Sequence, residues 1–400
     1  MPKNIVVCCD GTSNEFDGDR TNVVKLYQML VHDLRLQTTY YHPGLGTMEA
    51  SGALTGFARW WTRLAGFAFG YGLKNDIRDA YVFLMNNFEP GDKVFLFGFS
   101  RGAYTVRAVA ALLHMYGLIR KGNEPLVPYA IRMMSRIDKQ NAGRDPANDK
   151  SGIAKTLILA QQFKQTFSAT DCNPYFVGVW DTVNSVGWID NPLRLPFTGH
   201  NPSIEIGRHA LAIDERRAFF HHNLWRPKPK PQRTGPRDIM QVWFPGSHGD
   251  VGGGYPEADS GLSKVALEWM LREAQHKGLL TDPKREARIM GRDGGAYVEP
   301  DANGTLHDEL KHIAWWPAQL FPKKHWQLRR EAGRDVWTET RKMSLAGWRQ
   351  LPPEPLIHQS AYARDQAYIA KLPADAVKVA TLPSVQDNGA VPELKRAQPR

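Results

Sequence analysis

The sequence has only three cysteines, which excludes disulfide-rich and zinc-stabilised domains. Cys8 and Cys9 are adjacent and Cys172 is distant in the sequence, so they can form neither a disulfide framework nor a four-ligand zinc site. Proline and glycine are also too few for a low-complexity chain. The 27 prolines and 35 glycines make up about 15% of 400 residues, whereas low-complexity chains have roughly 25–30%. A globular protein in a reducing compartment fits this composition.

Long hydrophobic runs are absent as well. The apolar run at residues 5–9 is too short for the core of a signal peptide. The longest apolar window, residues 51–73, carries Arg59 and Arg63 in its middle, which does not suit a membrane span. We therefore expect a soluble, cytoplasmic protein, for which export by a dedicated secretion system would not need a signal peptide.

Acidic residues are outnumbered by basic ones. The 41 Asp and Glu against 51 Lys and Arg give a formal net charge of +10, which favours contact with an anionic partner. Basic residues concentrate at residues 226–237 and 323–334, but neither a zinc-finger spacing nor an RNA-recognition signature accompanies them. We therefore expect no specific nucleic-acid partner. An anionic membrane surface ranks second, after simple solvation of the basic surface.

What the sequence does contain is a regular alternation of two patterns. Short apolar runs predict buried strands over residues 5–9, 38–41, 93–97, 175–180 and 240–244. Apolar residues at helical spacing predict helices over residues 23–34, 76–88, 101–117, 204–220 and 262–277. Strands that alternate with helices predict an α/β fold, in which a doubly wound, mainly parallel sheet is covered by helices on both faces.

The alternation also predicts how the chain is divided. We expect one α/β domain over residues 1–280, interrupted by a helical cap inserted at about residues 121–170. The alternation is lost in residues 281–370, which are rich in Trp and Arg and are expected to pack on the first domain as an extension. Residues 371–400 contain Pro and Ala and are expected to form a mobile tail.

A glycine-flanked serine follows one predicted strand and opens the next predicted helix. The residues are Gly98, Phe99, Ser100, Arg101 and Gly102. A serine hydroxyl is a weak nucleophile and must be presented at a sharp turn within reach of a base, where flanking glycines relieve crowding. The backbone N–H of Arg101 would lie at the helix N-terminus and donate to an oxyanion. The pattern predicts a nucleophile elbow, and its alternative is an ordinary turn with an idle serine.

A nucleophile elbow requires an acid and then a histidine at the carboxyl ends of later strands. Asp181 follows the strand predicted at 175–180, and His248 follows the strand predicted at 240–244. Asp181 would hold the imidazole in the correct tautomer, and His248 would accept the Ser100 proton and pass it to the leaving group. His114 lies in a predicted apolar helix and suits the core better.

The loop after the first strand supplies candidates for a second oxyanion donor. Gly11 or Thr12 would lie beside the nucleophile strand in a doubly wound sheet. The same loop is similar to the DxDGT motif of phosphatases with an aspartate nucleophile, but Cys8 occupies the place of the first Asp. We expect Asp10 to order the loop through side-chain hydrogen bonds. Asp250 is expected to stabilise a turn, and no spacing predicts a metal site.

One predicted helix before the nucleophile strand has a face suited to lipid. Its aromatic and apolar side are Phe57, Trp60, Trp61 and Leu64, with Arg59 and Arg63 opposite. An interfacial helix needs this combination of an apolar and a basic face, so the segment is a possible lid. A core-packed helix with two exposed arginines is the equal alternative.

Five blocks of sequence, in this order, resemble one known family. They are residues 10–12 (Asp-Gly-Thr), 98–104 (Gly-Phe-Ser-Arg-Gly-Ala-Tyr), 179–183 (Val-Trp-Asp-Thr-Val), 212–216 (Ala-Ile-Asp-Glu-Arg) and 243–255 (Trp-Phe-Pro-Gly-Ser-His-Gly-Asp-Val-Gly-Gly-Gly-Tyr). The family is the α/β-hydrolase domain family of unknown function that includes the phospholipase effectors of type VI secretion. The resemblance covers about residues 3–277, with a weaker similarity at residues 357–360.

The resemblance implies hydrolysis of carboxylic esters, with phospholipids as substrates of the characterised branch. It also implies that Ser100, Asp181 and His248 occupy the positions of the family's triad. We therefore expect a serine hydrolase that cleaves esters of lipids or phospholipids and needs no cofactor. Two alternatives stay open: a catalytically inactive fold used as a binding scaffold, and an amidase or thioesterase with the same three residues.

Overall fold

The structure of the chain is a computed structural model. It describes residues 2–11, 20–44, 72–141, 150–183, 187–188, 191–192, 195–218, 220, 222–225, 238–311, 316–319, 323–331, 334–343 and 345–385. Three sequence predictions lie outside these residues: the possible lid around Trp60, the oxyanion role of Thr12, and the extended basic loop at 226–237.

The described strands are, in chain order, β1 (Asn4–Cys9), β2 (Gln37–His42), β3 (Lys93–Phe99), β4 (Leu118–Ile119), β5 (Ser168–Thr170), β6 (Pro174–Trp180) and β7 (Gly187–Trp188). They continue with β8 (Asn191–Pro192), β9 (Ile206–Ala212), β10 (Asp238–Phe244), β11 (Lys323–Glu331), β12 (Arg334–Lys342), β13 (Leu356–His358) and β14 (Val377–Val379). Three antiparallel pairs, β4 with β5, β7 with β8 and β11 with β12, form small separate sheets.

The described α-helices are α1 (Asn22–Met29), α2 (Leu73–Asn87), α3 (Arg101–Tyr116), α4 (Val127–Asn141), α5 (Lys150–Phe167), α6 (His248–Gly252), α7 (Gly261–Gln275), α8 (Pro283–Ile289), α9 (Trp316–Gln319) and α10 (Gln366–Ile369). Within the described residues, no helix is both long enough and apolar enough to cross a lipid bilayer. The helices α4 and α5 occupy most of the insertion predicted at residues 121–170.

Eight strands form the central sheet in the order β14-β13-β10-β9-β6-β3-β1-β2. Every neighbouring pair in this sheet is parallel. Parallel strands must be connected by crossovers, which carry helices onto the faces of the sheet. The predicted fold class, an α/β doubly wound sheet, is therefore confirmed.

The two faces of the sheet bury separate cores. Along β3, Val94 and Leu96 belong to a cluster shared with α2, α3 and α4, whereas Phe95 and Phe97 belong to a cluster shared with α1 and α7. This division follows from the pleat, because successive side chains of a strand point to opposite faces. β3 is therefore packed on both of its faces, and all its residues after the first are buried up to its carboxyl end.

The helix predicted over residues 204–220 is wrong, because residues 206–212 form the strand β9. This strand lies between β6 and β10, and all seven of its residues are buried. A parallel strand covered on both faces lacks the alternation of apolar and polar residues by which strands are recognised. Arg208 and His209 interrupt the apolar run with polar residues, so the pattern does not indicate a buried strand.

The sheet continues into residues that the sequence analysis separates from it. β13 lies in the expected extension and pairs with β10, and β14 lies in the expected tail and pairs with β13. Each of these strands has three residues, which is too short for a periodic pattern. The expected mobile tail therefore contributes residues 377–379 to the edge of the central sheet.

Candidate active site

Ser100 occupies the turn between β3 and α3. Its backbone has φ 56° and ψ −118°, and positive φ costs a residue with a side chain roughly 1–3 kcal/mol. Two hydrogen bonds hold the turn: the Ser100 N–H donates to the Trp180 carbonyl at 3.1 Å, and the Ser100 carbonyl accepts from the Tyr104 N–H at 3.3 Å. The serine stands at a sharp strand-to-helix turn, which is the geometry that a nucleophile elbow requires.

The two glycines that flank this turn have no room for a side chain. A Cβ atom at Gly98 would overlap the carbonyl oxygen of Gly102, and a Cβ atom at Gly102 would overlap the carbonyl oxygen of Cys9. The first overlap would open the turn, and the second would push it away from the end of β1. Close backbone contacts therefore require glycine at both positions.

The turn lies where the sheet reverses its direction of winding. The chain passes from β1 to β2 on one side, and β3 pairs with β1 on the other side. In doubly wound sheets, ligands bind in the crevice at the carboxyl ends of the strands at such a switch point. Asp10 and Gly11 follow β1 there, and Ser100 follows β3.

Asp181 and His248 meet at the carboxyl ends of β6 and β10. The Asp181 Oδ2 atom lies 2.6 Å from Nδ1 of His248, and both side chains are buried. The imidazole packs between Phe99 and Phe220, with ring centroids 4.6 and 4.7 Å from its own. Because Phe99 directly precedes Ser100, this packing brings the imidazole beside the serine turn. The structure thus gathers Ser100, Asp181 and His248 at one edge of the sheet.

The ionisation of Asp181 fixes the tautomer of His248. Burial raises the pKa of Asp181, but the Arg349 guanidinium and the hydrogen bond from His248 outweigh burial, so its pKa lies well below its usual range. An ionised carboxylate can only accept hydrogen bonds, so Nδ1 of His248 carries a proton. In the neutral ring, Nε2 then keeps its lone pair and can accept a proton.

Arg349 is a member of the site that the sequence analysis missed. Its Nη1 atom donates to Asp181 Oδ1 at 2.5 Å and its Nη2 atom donates to Asp181 Oδ2 at 2.9 Å. The guanidinium also donates to the carbonyls of Ala212 and Phe220. Arg349 is separated from Asp181 by 168 residues and has no local motif, so no sequence signal marks it among the other basic residues.

Polar contacts hold the backbone of His248 in place. Its N–H donates to Glu215 Oε2 at 3.1 Å, and Glu215 is itself paired with Arg217 through an Nη2–Oε2 distance of 2.7 Å. Ser247 and Asp250 form a capping box at the start of α6, in which the Ser247 N–H donates to Asp250 at 2.8 Å. The expectation that Asp250 stabilises a turn is confirmed.

The Asp10 carboxylate bonds to residues at both described ends of the loop after β1, which agrees with the side-chain hydrogen bonds predicted for it. It accepts hydrogen bonds from the Gly11 N–H at 2.7 Å, the Thr21 hydroxyl at 2.6 Å and the Tyr41 hydroxyl at 2.9 Å. The Gly11 N–H is therefore committed to Asp10. This bond argues against Gly11 as the second oxyanion donor, an outcome that the sequence could not reveal because it depends on the direction of one N–H.

The side chain of Arg101 anchors the elbow to its surroundings. It is buried, it donates to the carbonyl of Gly44, and its Nη2 atom lies 3.6 Å from Oδ2 of Asp76 on α2. Residue 44 follows β2, so this side chain connects the serine turn to both the end of β2 and α2. Arg101 therefore has a positioning role in addition to the predicted role of its N–H.

The remaining candidates do not join the site. His114 packs edge-on against Phe197 in the core, with ring centroids 4.6 Å apart, and burial lowers its pKa. Burial also raises the pKa of the Cys8 and Cys9 thiols, so they suit neither nucleophilic nor metal chemistry. Among the described residues, no group of three or more His, Cys, Asp or Glu side chains could hold a metal ion.

Comparison with known families adds the class of protein to this geometry. The model of the family described as T6SS phospholipase effector Tle1-like, catalytic domain, matches residues 3–273. The chain belongs to this family. The match includes Ser100, Asp181 and His248, and the family description supports a lipid-hydrolysing enzyme. The matched region ends before Arg349.

The chain is also similar to one yeast protein and, more distantly, to one solved structure. It is 36% identical over 235 residues to the uncharacterized protein YEL023C of Saccharomyces cerevisiae, over 57% of this chain and 33% of the yeast protein. A crystal structure of an uncharacterized protein from Pseudomonas aeruginosa aligns with a TM-score of 0.42 and 20% identity, over 72% of this chain and 48% of that one. The chain thus spans about a third of the length of the yeast relative.

The steric requirement at the elbow predicts the effect of one methyl group. We expect Gly102→Ala to lower the free energy of unfolding by roughly 1–3 kcal/mol, because its Cβ atom must displace the Cys9 carbonyl. The rate of hydrolysis should fall by a larger factor than the fraction of folded protein, since the turn that carries Ser100 must shift. Thermal unfolding and esterase rates measure the two effects.

Gly122→Ala is the matched control for this change. Gly122 has φ +84° and no atom within 4 Å of an added Cβ, so alanine there adds backbone strain without an overlap. We expect a loss of roughly 1 kcal/mol and normal activity. Equal activity in the two variants would contradict the steric account of the elbow.

Proposed function

We propose that this Tle1-like chain is a serine hydrolase that cleaves carboxylic esters through an acyl-enzyme. The observation that carries the proposal is the 2.6 Å hydrogen bond between buried Asp181 and His248, beside the turn that presents Ser100. The chain order serine, aspartate, histidine is that of α/β-hydrolases. The family match supports the same class of chemistry.

In the proposed reaction, the Ser100 hydroxyl oxygen attacks the ester carbonyl carbon while Nε2 of His248 takes its proton. The tetrahedral intermediate then collapses, the bond to the alcohol oxygen breaks, and the alcohol leaves with the proton from His248. Water attacks the acyl-enzyme by the same route and releases the carboxylic acid and free Ser100. Asp181 stays ionised throughout and stabilises the imidazolium that forms after each proton transfer.

The oxyanion is stabilised at the start of α3. The first N–H groups of a helix have no partner within their own helix, and the Arg101 N–H is the first of them after Ser100. Backbone donors aimed at a developing negative charge typically contribute about 2.7–4 kcal/mol each to catalysis. Thr12 is the proposed second donor, since the Gly11 N–H bonds to Asp10.

The proposed substrates are acyl esters of lipids, and phospholipids first among them. The family description supports a lipid substrate. We also propose that an anionic membrane surface docks on the loop before Arg349. Leu345 and Trp348 are 62% and 54% exposed there, and the Arg216 guanidinium lies 4.9 Å from the centre of the Trp348 ring.

This loop has the chemistry of a membrane interface. Exposed apolar and indole side chains enter the headgroup region, where flanking cations meet lipid phosphates. Lys371 adds a second cation 5.6 Å from the Trp348 ring, and Arg216 also donates to the carbonyl of Ala346. Since Arg349 follows Trp348 directly and reaches Asp181, the loop lies next to the site.

Labelling with a fluorophosphonate tests the proposed chemistry. We expect the probe to modify the wild-type chain and not Ser100→Ala, because only an activated serine reacts with it. Asp181→Asn should lower kcat by roughly 10⁴-fold, because an amide in place of the carboxylate favours the wrong tautomer of His248. The readouts are labelled protein on a gel and hydrolysis of a short soluble ester.

Ser168→Ala provides the control for this experiment. It removes a hydroxyl that bonds to the carbonyls of Leu118 and Thr170 in the small β4–β5 sheet, so labelling should be unchanged. Labelling that persists in Ser100→Ala would assign the reactive group elsewhere. A wild-type chain that neither labels nor hydrolyses esters would favour a binding scaffold.

Changes in the exposed loop test the membrane surface. We expect Leu345→Gln with Trp348→Gln to lower hydrolysis of phosphatidylglycerol vesicles by at least roughly tenfold, because burial of these two side chains contributes a few kcal/mol. Hydrolysis of a soluble short-chain ester should stay within about twofold of wild type. Vesicle binding should also weaken as salt rises, because the cations are screened.

Leu34→Gln is the control, since Leu34 is 78% exposed and lies between α1 and β2. It should leave both activities unchanged. Equal losses on vesicles and on the soluble ester in the double variant would mean that the loop supports the site and does not bind lipid.

A further inference from the structure

Arg349 reaches the site from outside the region that the family model matches. That match ends at residue 273, whereas Arg349 lies between β12 and β13. Its guanidinium contacts both oxygens of the Asp181 carboxylate, at 2.5 and 2.9 Å. Both side chains are buried, so the pair is shielded from water and salt.

We propose that Arg349 is a positioning residue for the hydrolysis proposed above, and that it acts through Asp181 by fixing the carboxylate and balancing its charge. The inference rests on the proposed function. It adds a fourth side chain to the serine, histidine and aspartate that the motifs contain.

Four hydrogen bonds fix the orientation of the Asp181 carboxylate. Asp181 Oδ1 accepts from Arg349 Nη1 and from the Ala212 N–H at 3.1 Å, while Oδ2 accepts from Arg349 Nη2 and from His248 Nδ1. Rotation of the carboxylate would break several of these bonds together. The planar guanidinium presents two N–H donors to the two carboxylate oxygens at once. The single ammonium of lysine cannot make this two-point contact. The carbonyls of Ala212 and Phe220 fix the guanidinium in turn.

Several charged groups surround the imidazole and its partners. They are Asp181 after β6, Glu215 and Arg217 after β9, Arg349 before β13, Asp250 on α6, which is paired with His307, and Glu309, which contacts Arg217 at 3.2 Å. Arg217 is thus shared by Glu215 and Glu309, whereas Arg349 is the guanidinium that faces Asp181. His209 adds no charge near Asp181, since burial and the Arg107 guanidinium lower its pKa to about 3.

Without Arg349 the Asp181 carboxylate would lose its guanidinium partner. The buried site would become more negative by one charge, and charges interact strongly there. This change would favour the protonated imidazole, and a protonated imidazole cannot accept the Ser100 proton. Arg349 therefore offsets the Asp181 charge beside His248 and holds the carboxylate in its orientation.

The test measures kcat and KM against pH on a soluble short-chain ester, for the full chain. We expect Arg349→Met to lower kcat by roughly 10²-fold through misplacement of the triad, with KM within about twofold. The acidic limb of the kcat/KM profile should move up by about one pH unit. Arg349→Lys keeps the positive charge, so the acidic limb of its kcat/KM profile should stay at the wild-type pH. Its kcat should fall, because a lysine ammonium cannot contact both carboxylate oxygens as the guanidinium does.

The matched control is Arg364→Met. Arg364 lies in the same C-terminal part of the chain and donates to the carbonyls of Ala302 and Gly304. Its removal should leave the pH profile and kcat as in wild type. A drop in kcat for Arg349→Met with an unmoved acidic limb would assign a merely structural role and overturn the charge argument.

Two further outcomes decide the proposal. If Arg349→Met does not fold, Arg349→Lys carries the test alone, and wild-type kcat in that variant overturns the positioning role. If the wild type shows no Ser100-dependent hydrolysis, the proposed function fails and the inference fails with it. An active wild type with an unchanged Arg349→Met overturns only the inference.

Discussion

The site depends on one buried negative charge, the carboxylate of Asp181. A carboxylate removed from water is costly unless charged or polar partners surround it. Here those partners are His248, Arg349 and the Ala212 N–H. They come from different elements, so the need to satisfy one side chain ties the ends of β9 and β10 and the segment before β13 to the end of β6.

The parallel sheet makes this convergence possible, because it brings all its carboxyl ends to one edge. Backbone strain at Ser100 can then be maintained, since the turn is bonded to Trp180 and packed against Cys9 through Gly102. Strain of this kind persists only where the surroundings determine the conformation. The packed core on both faces of β3 and the buried ion pair at Asp181 therefore have the same consequence. They hold the serine turn and the imidazole in fixed relative positions.

The sequence predicted those parts of the site that depend on adjacent residues. Ser100 and Asp181 each follow directly on an apolar strand, and His248 follows one after a short loop. That local context marked them. Arg349 could not be found in this way, because its role depends on a contact across 168 residues. The strand β9 was missed for a related reason: burial on both faces removes the alternation that identifies strands, and only the neighbouring strands β6 and β10 reveal it. The sequence also does not show that the Gly11 N–H donates to the Asp10 carboxylate, which argues against the oxyanion role predicted for Gly11.

The contacts of the C-terminal segment argue that it belongs with the proposed catalytic centre. β13 and β14 complete the sheet next to β10, the strand that positions His248. Tyr368 donates to Asp214 at 2.7 Å, and Asp214 accepts the Gly246 N–H in the loop that leads to His248. Arg349 then supplies the guanidinium that opposes the charge of Asp181. A region that shares the sheet, supports the histidine loop and balances the buried carboxylate is part of the site's electrostatic environment, although it lies outside the residues that the family model matches.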